Sequence, residues 1–503
     1  MRYLSSCLCV CALLLGCDDT VHQTGTALDV SAMTDVVAPP MDEGAIDEAL
    51  PDESEADAAS IYEAQPGPIA ASPQRPGDPE RGYHALVNAP YVTCGVPARI
   101  YNQFQGPAPA QLQLPGREGV NERRAFFETE FTNEDGLQIV STNCLTCHVG
   151  VVNNQLFVGL GNEESDFTGD TSGPAIALRG LADGDAEERA LLRWSERVMA
   201  IAPHVQLDTM GVNPADNLTA ALIAHRDRNT LAWSDEPLLQ IPSELEVIPI
   251  SVPPWWNMKK KNAMFYTAVG RGDHARFMMT ASTLCTDSVD EARMIDSWFP
   301  DIRAYIASIE PPAYPYEIDD EDAAKGQRVF ETNCAACHGT YGTDWTYPNL
   351  FVGVDEVGTD DVLARRSFNA AGEFIEWYNE SFFGELARAV PGEGYIAPPL
   401  DGVWATAPYL HNGSVPTLAQ LMNSQTRPRY WSRFLRETQT YDQENIGWEH
   451  DVLDYGKDGA RGSDERKRIY DTTRSGYGNG GHTYGDQLNA EERRVLLEYL
   501  KTL

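Results

Sequence analysis

The chain has 503 residues, with 38 Lys and Arg against 75 Asp and Glu, which gives a formal net charge of −37 at pH 7. A surface this acidic repels polyanions, so we expect no nucleic-acid partner and no direct binding to anionic membrane surfaces. The length suffices for two or three domains.

Residues 1–16 have the pattern of a lipoprotein-type signal peptide. In "MRYLSSCLCVCALLLGC" a basic Arg2 precedes an apolar run that is too short to span a bilayer permanently. The closing "LLGC" resembles the lipobox of bacterial lipoproteins, which implies acylation of Cys17. An ordinary signal peptide is the alternative. We therefore expect a lipid anchor on Cys17 as the only membrane attachment, at the periplasmic or extracellular face of a bacterial cell envelope.

Residues 17–80 differ sharply in composition from the rest. No Lys or Arg occurs between positions 3 and 74, and Asp, Glu, Ala and Pro dominate. Such a stretch buries too little apolar surface to offset the entropy of ordering, so it predicts a disordered acidic linker.

The segments "NCLTCHVG" at 143–150 and "NCAACHGT" at 333–340 both contain C-x-x-C-H, the pattern of c-type haem attachment. On a helical turn the two thiols share one face, where they can form thioethers to a haem while the histidine ligates the iron. A zinc half-site, a redox dithiol and chance are the alternatives. Zinc would need four ligands, and no further C-x-x-C pair completes either site. The predicted attachment residues are Cys144, Cys147 and His148, then Cys334, Cys337 and His338.

Two cysteines remain outside these assignments. Of the ten, three lie in the signal peptide, Cys17 takes the lipid and four hold haem, which leaves Cys94 and Cys285. Haem c attachment takes place outside the cytoplasm, where an unassigned pair suggests one disulfide. Two unrelated free thiols are the alternative.

An aromatic cluster, Trp255, Trp256, Phe265 and Tyr266, lies between the two motifs. Such rings near a haem can carry an electron hole or shape an apolar pocket, although buried aromatics usually only pack. Trp255 and Trp256 are, with His148, the candidate catalytic residues.

Several charged residues follow this cluster. Lys259, Lys260 and Lys261 are expected to form a solvated face, with pairing to a haem propionate as the second interpretation. Asp273 and His274 could reach a distal pocket, although a lone histidine is more often structural.

Helical patterns predict a mainly α fold with two tandem haem domains and long loops. "FPDIRAYIASIEPPAYP" is a helix stopped by prolines, and it ends a first domain at 84–310. A helix with Gly326 and Phe330 on one face opens a second domain at 317–503, and a helix capped by Asn489 closes it. This pair resembles the crossed terminal helices of class I cytochromes c.

The segment "LDGVWATAPYLHNGSVPTLAQLM" at 400–422 resembles the T-A-P-Y-x-H-[DN]-G-S segment of the bacterial di-haem cytochrome c peroxidase superfamily. "NCLTCHVGVVNNQLFVGLGN", "PPWWNMKKKNAMFY" and "GNGGHTYG" look more like the RoxA-type haem-dependent rubber oxygenase branch. The resemblance implies a reactive haem 1 on His148, with an open distal position, and a six-coordinate relay haem 2 on His338.

The sixth ligand of haem 2 is less clear. Gln425 occupies the offset of the methionine ligand in the peroxidases, so His482 and His411 compete for this role. The resemblance favours His482, with His411 then as its hydrogen-bond partner, and Met422 is the next candidate. Thr406 and the Pro408 carbonyl fit part of the calcium site of the peroxidases. Calcium is therefore a candidate ligand beside the two covalent haems c.

The resemblance leaves three functions in competition. The first is a peroxidase-like enzyme that takes peroxide as substrate and electrons from a small redox protein or small-molecule donor. The second is a dioxygenase of apolar, polyisoprenoid-like substrates, which takes dioxygen. The third is a non-enzymatic electron-transfer cytochrome of the envelope. The attachment motifs are common to all three, so they do not separate them.

Overall fold

The computed structural model describes residues 64–152, 155–241, 247–369, 372–433 and 441–503. The predicted signal peptide, Cys17 and the linker up to residue 63 lie outside these ranges. None of the helices in the described ranges combines the length and the apolar character needed to cross a membrane.

Helices form most of the regular structure. They are α1 (Pro79–Asn88), α2 (Ala98–Phe104), α3 (Leu145–His148), α4 (Ser172–Arg179), α5 (Asp185–Ile201), α6 (Ala215–Ala224), α7 (His274–Met279), α8 (Val289–Asp296), α9 (Phe299–Ser308), α10 (Asp320–Asn333), α11 (Ala335–His338), α12 (Val354–Val357), α13 (Val362–Asn369), α14 (Gly372–Glu380), α15 (Leu418–Leu421), α16 (Ser463–Arg468) and α17 (Ala490–Leu500).

Short antiparallel strands join the loops between these helices. They are β1 (Gly67–Pro68), β2 (Val96–Pro97), β3 (Glu128–Thr132), β4 (Gln138–Thr142), β5 (Val149–Val152), β6 (Gln155–Val158), β7 (Gly270–Gly272), β8 (Leu350–Gly353), β9 (Ala387–Ala389), β10 (Gly394–Ile396), β11 (Tyr430–Arg433), β12 (Tyr441–Asp442), β13 (Gly447–Trp448), β14 (His450–Val452) and β15 (Ile469–Asp471). They pair in the orders β1-β8-β10, β14-β11-β15, β12-β13, β2-β4-β3, β5-β6 and β7-β9. The mainly α prediction is therefore only partly right, because the long loops satisfy their backbone groups in small sheets.

Helices α10 and α17 cross at close range. The carboxylate of Asp319 caps α10 by accepting two backbone N–H groups, and Asn489 caps α17 in a capping box with Glu492. Gly326 lies at the crossing, where a Cβ atom would overlap the carbonyl oxygen of Val495. Only glycine allows the two backbones to approach this closely.

Helices α1 and α9 cross in the same manner. Asp78 caps α1 through two backbone N–H groups. A Cβ atom on Gly82 would overlap the carbonyl oxygen of Asp301 and crowd the Cβ atom of Tyr305. Because α1 begins at Pro79, this helix pair starts upstream of residue 84, the predicted edge of the first domain.

Residues 64–78, here called the strap, lie against the folded body. β1 pairs with β8, and Gln74 Nε2 donates a hydrogen bond of 2.7 Å to the carbonyl of Gly272. The Arg75 guanidinium forms ion pairs with Asp273 at 2.9 Å and Asp296 at 2.6 Å. The prediction of a disordered linker is thus wrong for residues 64–80, because the ion pairs of Arg75 with two buried carboxylates hold this segment on the folded body.

Two large apolar clusters form the core. The first contains Leu145, Val149 and Trp255, and the second contains Trp256, Phe330 and Trp404. The side chain of Ile309 packs against both clusters. The neighbouring residues Trp255 and Trp256 therefore lie where the two clusters meet.

A third apolar cluster contains Cys94 and Cys285. These two cysteines are joined by a disulfide, with their Cα atoms 5.7 Å apart and a sequence separation of 191. The bond connects the loop before α2 to the turn before α8, so it closes a long loop of the chain.

Candidate functional site

The first C-x-x-C-H motif begins at Cys144, just before the single turn α3, and ends with that turn at His148. The Cys144 N–H donates a hydrogen bond of 3.2 Å to the hydroxyl of Tyr91, and the His148 N–H donates one of 3.2 Å to the Cys144 carbonyl. Cys144 and Cys147 are unpaired and half-buried. Burial raises the pKa of these thiols to about 11 and about 12, respectively. Both thiols therefore point into an enclosed space, as attachment to an apolar macrocycle requires.

The ring of His148 stacks on Trp255, with ring centroids 4.4 Å apart and an interplanar angle of 21°. Its Nδ1 atom is buried without a hydrogen-bond partner, and burial lowers the pKa of the imidazole to about 3. The ring is thus neutral at ordinary pH, which is the state that ligates a metal.

Gly159 connects the two rings through the backbone. Its N–H donates to the His148 carbonyl at 2.8 Å, and its own carbonyl accepts from the Trp255 N–H at 2.8 Å. Gly159 has φ +92°, and a Cβ atom there would approach Trp255 and Ile309 to 3.2 Å. A larger residue would therefore disturb the stacking of Trp255 on His148.

Asn162, which the sequence did not indicate, donates hydrogen bonds to two carbonyls of the first motif. Its side-chain amide donates to the Thr146 carbonyl at 2.9 Å, and its backbone N–H donates to the Cys147 carbonyl at 2.8 Å. These bonds satisfy carbonyls that a helix of one turn leaves free.

The second motif is on α11. His338 Nδ1 lies 2.8 Å from the carbonyl oxygen of Pro398, which accepts a hydrogen bond from the ring. Burial lowers the pKa of His338, and the bond to Pro398 opposes this effect. Such a bond fixes the tautomer and leaves Nε2 free for a metal. The Tyr341 hydroxyl donates to the His338 carbonyl at 3.1 Å and accepts from the Leu400 N–H at 2.6 Å.

His482 faces His338, with ring centroids 6.1 Å apart. Two imidazoles that ligate one iron from opposite sides, with bonds of about 2 Å, have centroids about 6 Å apart. The Nδ1 atom of His482 is buried without a hydrogen-bond partner. Burial first, and then the positive charges of His338 and Arg427, lower its pKa to about 4. The second motif and His482 therefore fit a haem between them.

The loop of residues 476–482, here called the ligand loop, is held by side chains from three other segments. Arg427 donates to the carbonyls of Asn479 (2.7 Å), Gly481 (2.7 Å) and His482 (3.1 Å). Asn412 Nδ2 donates to the carbonyls of Gly476 at 3.0 Å and Gly478 at 2.9 Å. The carboxylate of Asp360 accepts from the Gly478 N–H at 2.9 Å. The sequence did not indicate Arg427 or Asp360, and Asn412 appeared only as a member of the segment at 400–422.

His411 lies beside this arrangement rather than in it. Its ring stacks on Tyr395 with centroids 4.2 Å apart, and its Nε2 lies 3.3 Å from the Tyr395 hydroxyl. Burial lowers the pKa of His411 to about 3. No ring contact or hydrogen bond joins His411 to His482 within the described ranges. The structure places the link to the ligand loop at the neighbouring Asn412, which corrects the predicted hydrogen bond from His411.

A short segment, residues 398–401, connects the two motif histidines through Trp256. The Trp256 indole N–H donates to the Asp401 carbonyl at 2.7 Å, and Asn257 Nδ2 donates to the Pro399 carbonyl at 2.9 Å. The Pro398 carbonyl accepts from His338, as described above. A continuous series of bonds and contacts thus runs from His148 through Trp255 and Trp256 to His338.

Three of the charged residues that follow the aromatic cluster form ion pairs. Lys259 forms an ion pair with Glu310 at 2.6 Å, and Lys260 is buried against Asp401 at 2.7 Å, so the solvated face predicted for the lysines is wrong for Lys260. Asp273 caps α7 and pairs with Arg75.

The remaining members of the aromatic cluster pack against other rings. Phe265 lies 5.5 Å from the ring of Phe277, and Tyr266 lies 6.3 Å from that of His411. Met422 is buried in the second apolar cluster.

The calcium ligands suggested by the resemblance do not assemble a carboxylate site. The Thr406 hydroxyl donates to the Val403 carbonyl at 3.0 Å. Among the residues that the structure describes, no group of three or more His, Cys, Asp or Glu side chains could hold a metal ion.

Two family models match parts of the chain. Residues 394–432 match the RoxA-like, cytochrome c-like family, and residues 323–376, which include the second motif, match the cytochrome c family. These matches relate the chain to RoxA-like cytochromes c. They imply covalently bound haem c with its iron, and a haem-based redox function. The RoxA-like match includes Pro398, Asn412 and Arg427, which position the second histidine pair.

Two curated relatives come from Sinorhizobium fredii. The uncharacterized protein y4iM is 33% identical over 236 residues, which cover 40% of this chain and 53% of the relative. The uncharacterized protein y4iJ is 27% identical over 290 residues, which cover 44% of this chain and 46% of the relative. The matched part is thus about half the length of each relative.

Proposed function

We propose that this chain is a di-haem c-type cytochrome with peroxidase-like activity. One haem is bound through Cys144 and Cys147 with His148 as ligand, and the other through Cys334 and Cys337 with His338 as ligand. The observation that carries the proposal is the difference between the surroundings of the two histidines.

His338 has an opposing imidazole, that of His482, at 6.1 Å. Within the described ranges the ring that contacts His148 is the indole of Trp255, which offers no lone pair to a metal. A haem at the first motif would therefore be held by His148 alone and could supply oxygen chemistry, whereas a haem at the second motif would be held by His338 and His482 and could supply electron transfer. This division suits a reactive site and an electron relay.

A haem c supplies an iron that binds an oxygen ligand and exchanges single electrons. The chain's own residues position these groups. Trp255 fixes the plane of the His148 ring, and Pro398 orients the His338 ring by accepting its Nδ1 proton. Trp256 and residues 398–401 provide a bonded path between the two histidines.

The reaction consumes one peroxide, two electrons and two protons. The O–O bond breaks, both oxygens are reduced to water, and two one-electron donors are oxidised. Electrons enter at the His338 site from a small redox protein or small-molecule donor. Because the chain is strongly acidic, we expect a protein donor with a basic or neutral contact surface.

The test uses the holo protein, hydrogen peroxide and a reduced small c-type cytochrome as donor. We expect two donors oxidised for each peroxide consumed, measured by absorbance. A variant with Cys144→Ser and Cys147→Ser should lose one haem and this activity. A wild type that retains two haems after denaturation yet oxidises no donor would support the electron-transfer cytochrome instead.

A second candidate is a dioxygenase of apolar, polyisoprenoid-like substrates. It is favoured by the RoxA-like match and by the apolar residues Met258, Met264 and Phe265, which pack against the cluster that contains Trp255. Oxygen uptake in the presence of a polyisoprene emulsion, without added peroxide or reductant, would support this function. The peroxidase proposal expects no uptake under these conditions.

We further propose that Cys17 carries a lipid anchor at the outer side of a bacterial membrane. The support is the lipobox-like segment before it and the requirement of haem c attachment for export. Cys17→Ser should move the protein from the membrane fraction to the detergent-free soluble fraction. A wild type that is already soluble without detergent would contradict the anchor.

A further inference from the structure

Of the three consecutive lysines, Lys261 differs from the other two. Lys259 and Lys260 each have a carboxylate partner, Glu310 and Asp401. For Lys261 the described residues provide no such ion pair. Its side chain is half-buried, and burial alone lowers the pKa of its amine to about 8. The amine is thus largely protonated at neutral pH although it is withdrawn from water.

His274 lies within electrostatic reach of both Lys261 and Arg303. His274 is 3% exposed, and its Nε2 atom has no hydrogen-bond partner. Burial first, then the charges of Lys261 and Arg303, lower the pKa of His274 to about 4. The Nε atom of Arg303 is also buried without a partner. These three residues are here called the basic cluster.

The nearest acid that acts on the cluster is already engaged. Asp273 raises the pKa of His274 only as the last of its influences. Its carboxylate accepts from the Arg75 side chain at 2.9 Å, the Arg75 N–H at 3.0 Å and the Arg276 N–H at 2.7 Å. Asp273 therefore does not serve as the counter-ion of the basic cluster.

Basic groups that are withdrawn from water without a counter-ion destabilise a fold, and a bound anion removes this cost. The unbonded donors on His274 and Arg303 also require acceptors. Carboxylate oxygens satisfy both needs, since they carry negative charge and accept several hydrogen bonds.

Two chain segments link the cluster to the first motif. Lys261 lies two residues after the turn Trp255–Lys259, whose first residue stacks on His148. Arg303 is on α9, and Ile309 at the end of α9 lies beside Gly159, the residue that links His148 to Trp255. The chain segments that carry the cluster therefore also form walls of the His148 site.

We propose that Lys261, His274 and Arg303 bind the propionate carboxylates of the haem attached at His148. This inference rests on the proposed function, because it requires a haem at the first motif. Lys261 would then pair with a haem carboxylate, whereas Lys259 and Lys260 pair with carboxylates of the protein.

The experiment measures the midpoint potential of the high-spin haem by redox titration followed by electron paramagnetic resonance. Wild type is compared with Lys261→Gln, Lys261→Arg and the matched control Lys259→Gln. Removal of a positive charge near the haem favours the ferric state. We expect Lys261→Gln to shift the ferric–ferrous equilibrium about tenfold toward ferric, which equals 59 mV for one electron. Lys261→Arg should retain most of the wild-type potential, and Lys259→Gln should leave it unchanged.

Equal potentials in Lys261→Gln and Lys259→Gln, with both haems present, would overturn the inference. A second arm adds inorganic phosphate to wild type at constant ionic strength. No shift is expected, because the propionates already occupy the cluster. A phosphate-dependent shift that Lys261→Gln abolishes would instead assign the cluster to free anions. Absence of haem at Cys144 and Cys147 would refute the proposed function itself, and the inference with it.

Discussion

His482, the proposed second ligand of the haem on His338, has an unusual backbone conformation. Its φ angle is +45°, in the left-handed region that costs a non-glycine residue roughly 1–2 kcal/mol. The preceding Gly481 has φ +70°, and its Cα packs so closely on Gly358 that a side chain could not fit. The His482 N–H also donates to the Val357 carbonyl at 2.7 Å. The surrounding contacts thus fix a conformation that aims the imidazole at His338.

Replacement of His482 tests its role as sixth ligand. His482→Gly removes the imidazole and relieves the backbone strain, so we expect the haem on His338 to change from low-spin to high-spin or water-ligated. His411→Gly should leave it low-spin, since His411 is directed at Tyr395. Absorption and electron paramagnetic resonance spectra distinguish the two. The reverse pattern would reassign the ligand to His411, and no change in either variant would make Met422 the next candidate.

Arg427 is expected to position the ligand loop. Besides its three bonds to the loop, it donates to the carbonyls of Gln420 at 3.2 Å and Leu421 at 2.9 Å. Arg427→Gln cannot span all five acceptors, so we expect about 2–3 kcal/mol less stability and a partial loss of the low-spin signal. The exposed Arg429, two residues away, gives the matched control. Arg429→Gln should change stability by less than about 0.5 kcal/mol. Equal spectra in the two variants would remove Arg427 from this role.

The sequence predicts the attachment residues but not the side chains that position their partners. C-x-x-C-H is local, so its spacing alone indicates the chemistry. The acceptors of Arg427 lie at 420–421 and at 479–482, and only the folded chain brings them together. His411 and Asn412 are neighbours in the segment at 400–422 that carries the resemblance. Which of them contacts the loop depends on side-chain direction within the turn.

Among the helices, the two glycine crossings carry the closest backbone contacts. Gly326→Ala would drive a methyl group into the Val495 carbonyl and against Tyr499. Overpacking of this kind costs about 1–3 kcal/mol, and we expect the loss at the upper end because the neighbour is backbone. Gln327→Ala, on the exposed face of the same helix, is the control and should be near neutral. Thermal unfolding measures both, and equal midpoints would show that the crossing can relax.

An ion pair also joins α10 to α17. Asp322 accepts from Arg494 and, at 2.9 Å, from Lys325, and these bonds lower the pKa of its carboxyl to about 2. Because the folded pKa is depressed, the stabilisation is present above the unfolded pKa of about 4 and is lost as the pH falls toward 2. Asp322→Asn should therefore differ in unfolding midpoint from wild type at pH 5 and approach it at pH 2.5. A difference independent of pH would argue against the ionised pair.

Helix prediction from sequence succeeded where apolar spacing and caps coincide, as at Asn489 and in the proline-stopped helix before Pro311. It failed for α1, whose glycine crossing resembles that of α10. The acidic, Pro-rich composition upstream concealed this helix. The strands were also missed, because elements of two to five residues are too short to show alternation.

At the scale of the whole molecule, Trp256 lies in the second apolar cluster, follows Trp255 of the first cluster, and donates a hydrogen bond to the Asp401 carbonyl. Trp256→Phe retains a ring but removes this hydrogen bond, so we expect slower electron transfer between the haems with unchanged haem spectra. Trp448→Phe is the matched control, because its indole also donates to a backbone carbonyl, that of Ala407 at 3.1 Å, away from the path. Both should lose about 1–3 kcal/mol of stability. Equal transfer rates after rapid mixing with reductant would exclude a role for Trp256.

The strap has a consequence for how the polypeptide can be shortened. Its β1 strand pairs with β8, and its Arg75 neutralises Asp273 and Asp296 near α7 and α8. A recombinant form that begins at residue 64 keeps these bonds. One that begins at 84 would leave Asp273 without its ion pair to Arg75 and Asp296 with Arg276 alone, and it would also cut through α1. The residues that precede the first helix crossing thus stabilise the folded chain. Their removal should increase its rate of cleavage by protease.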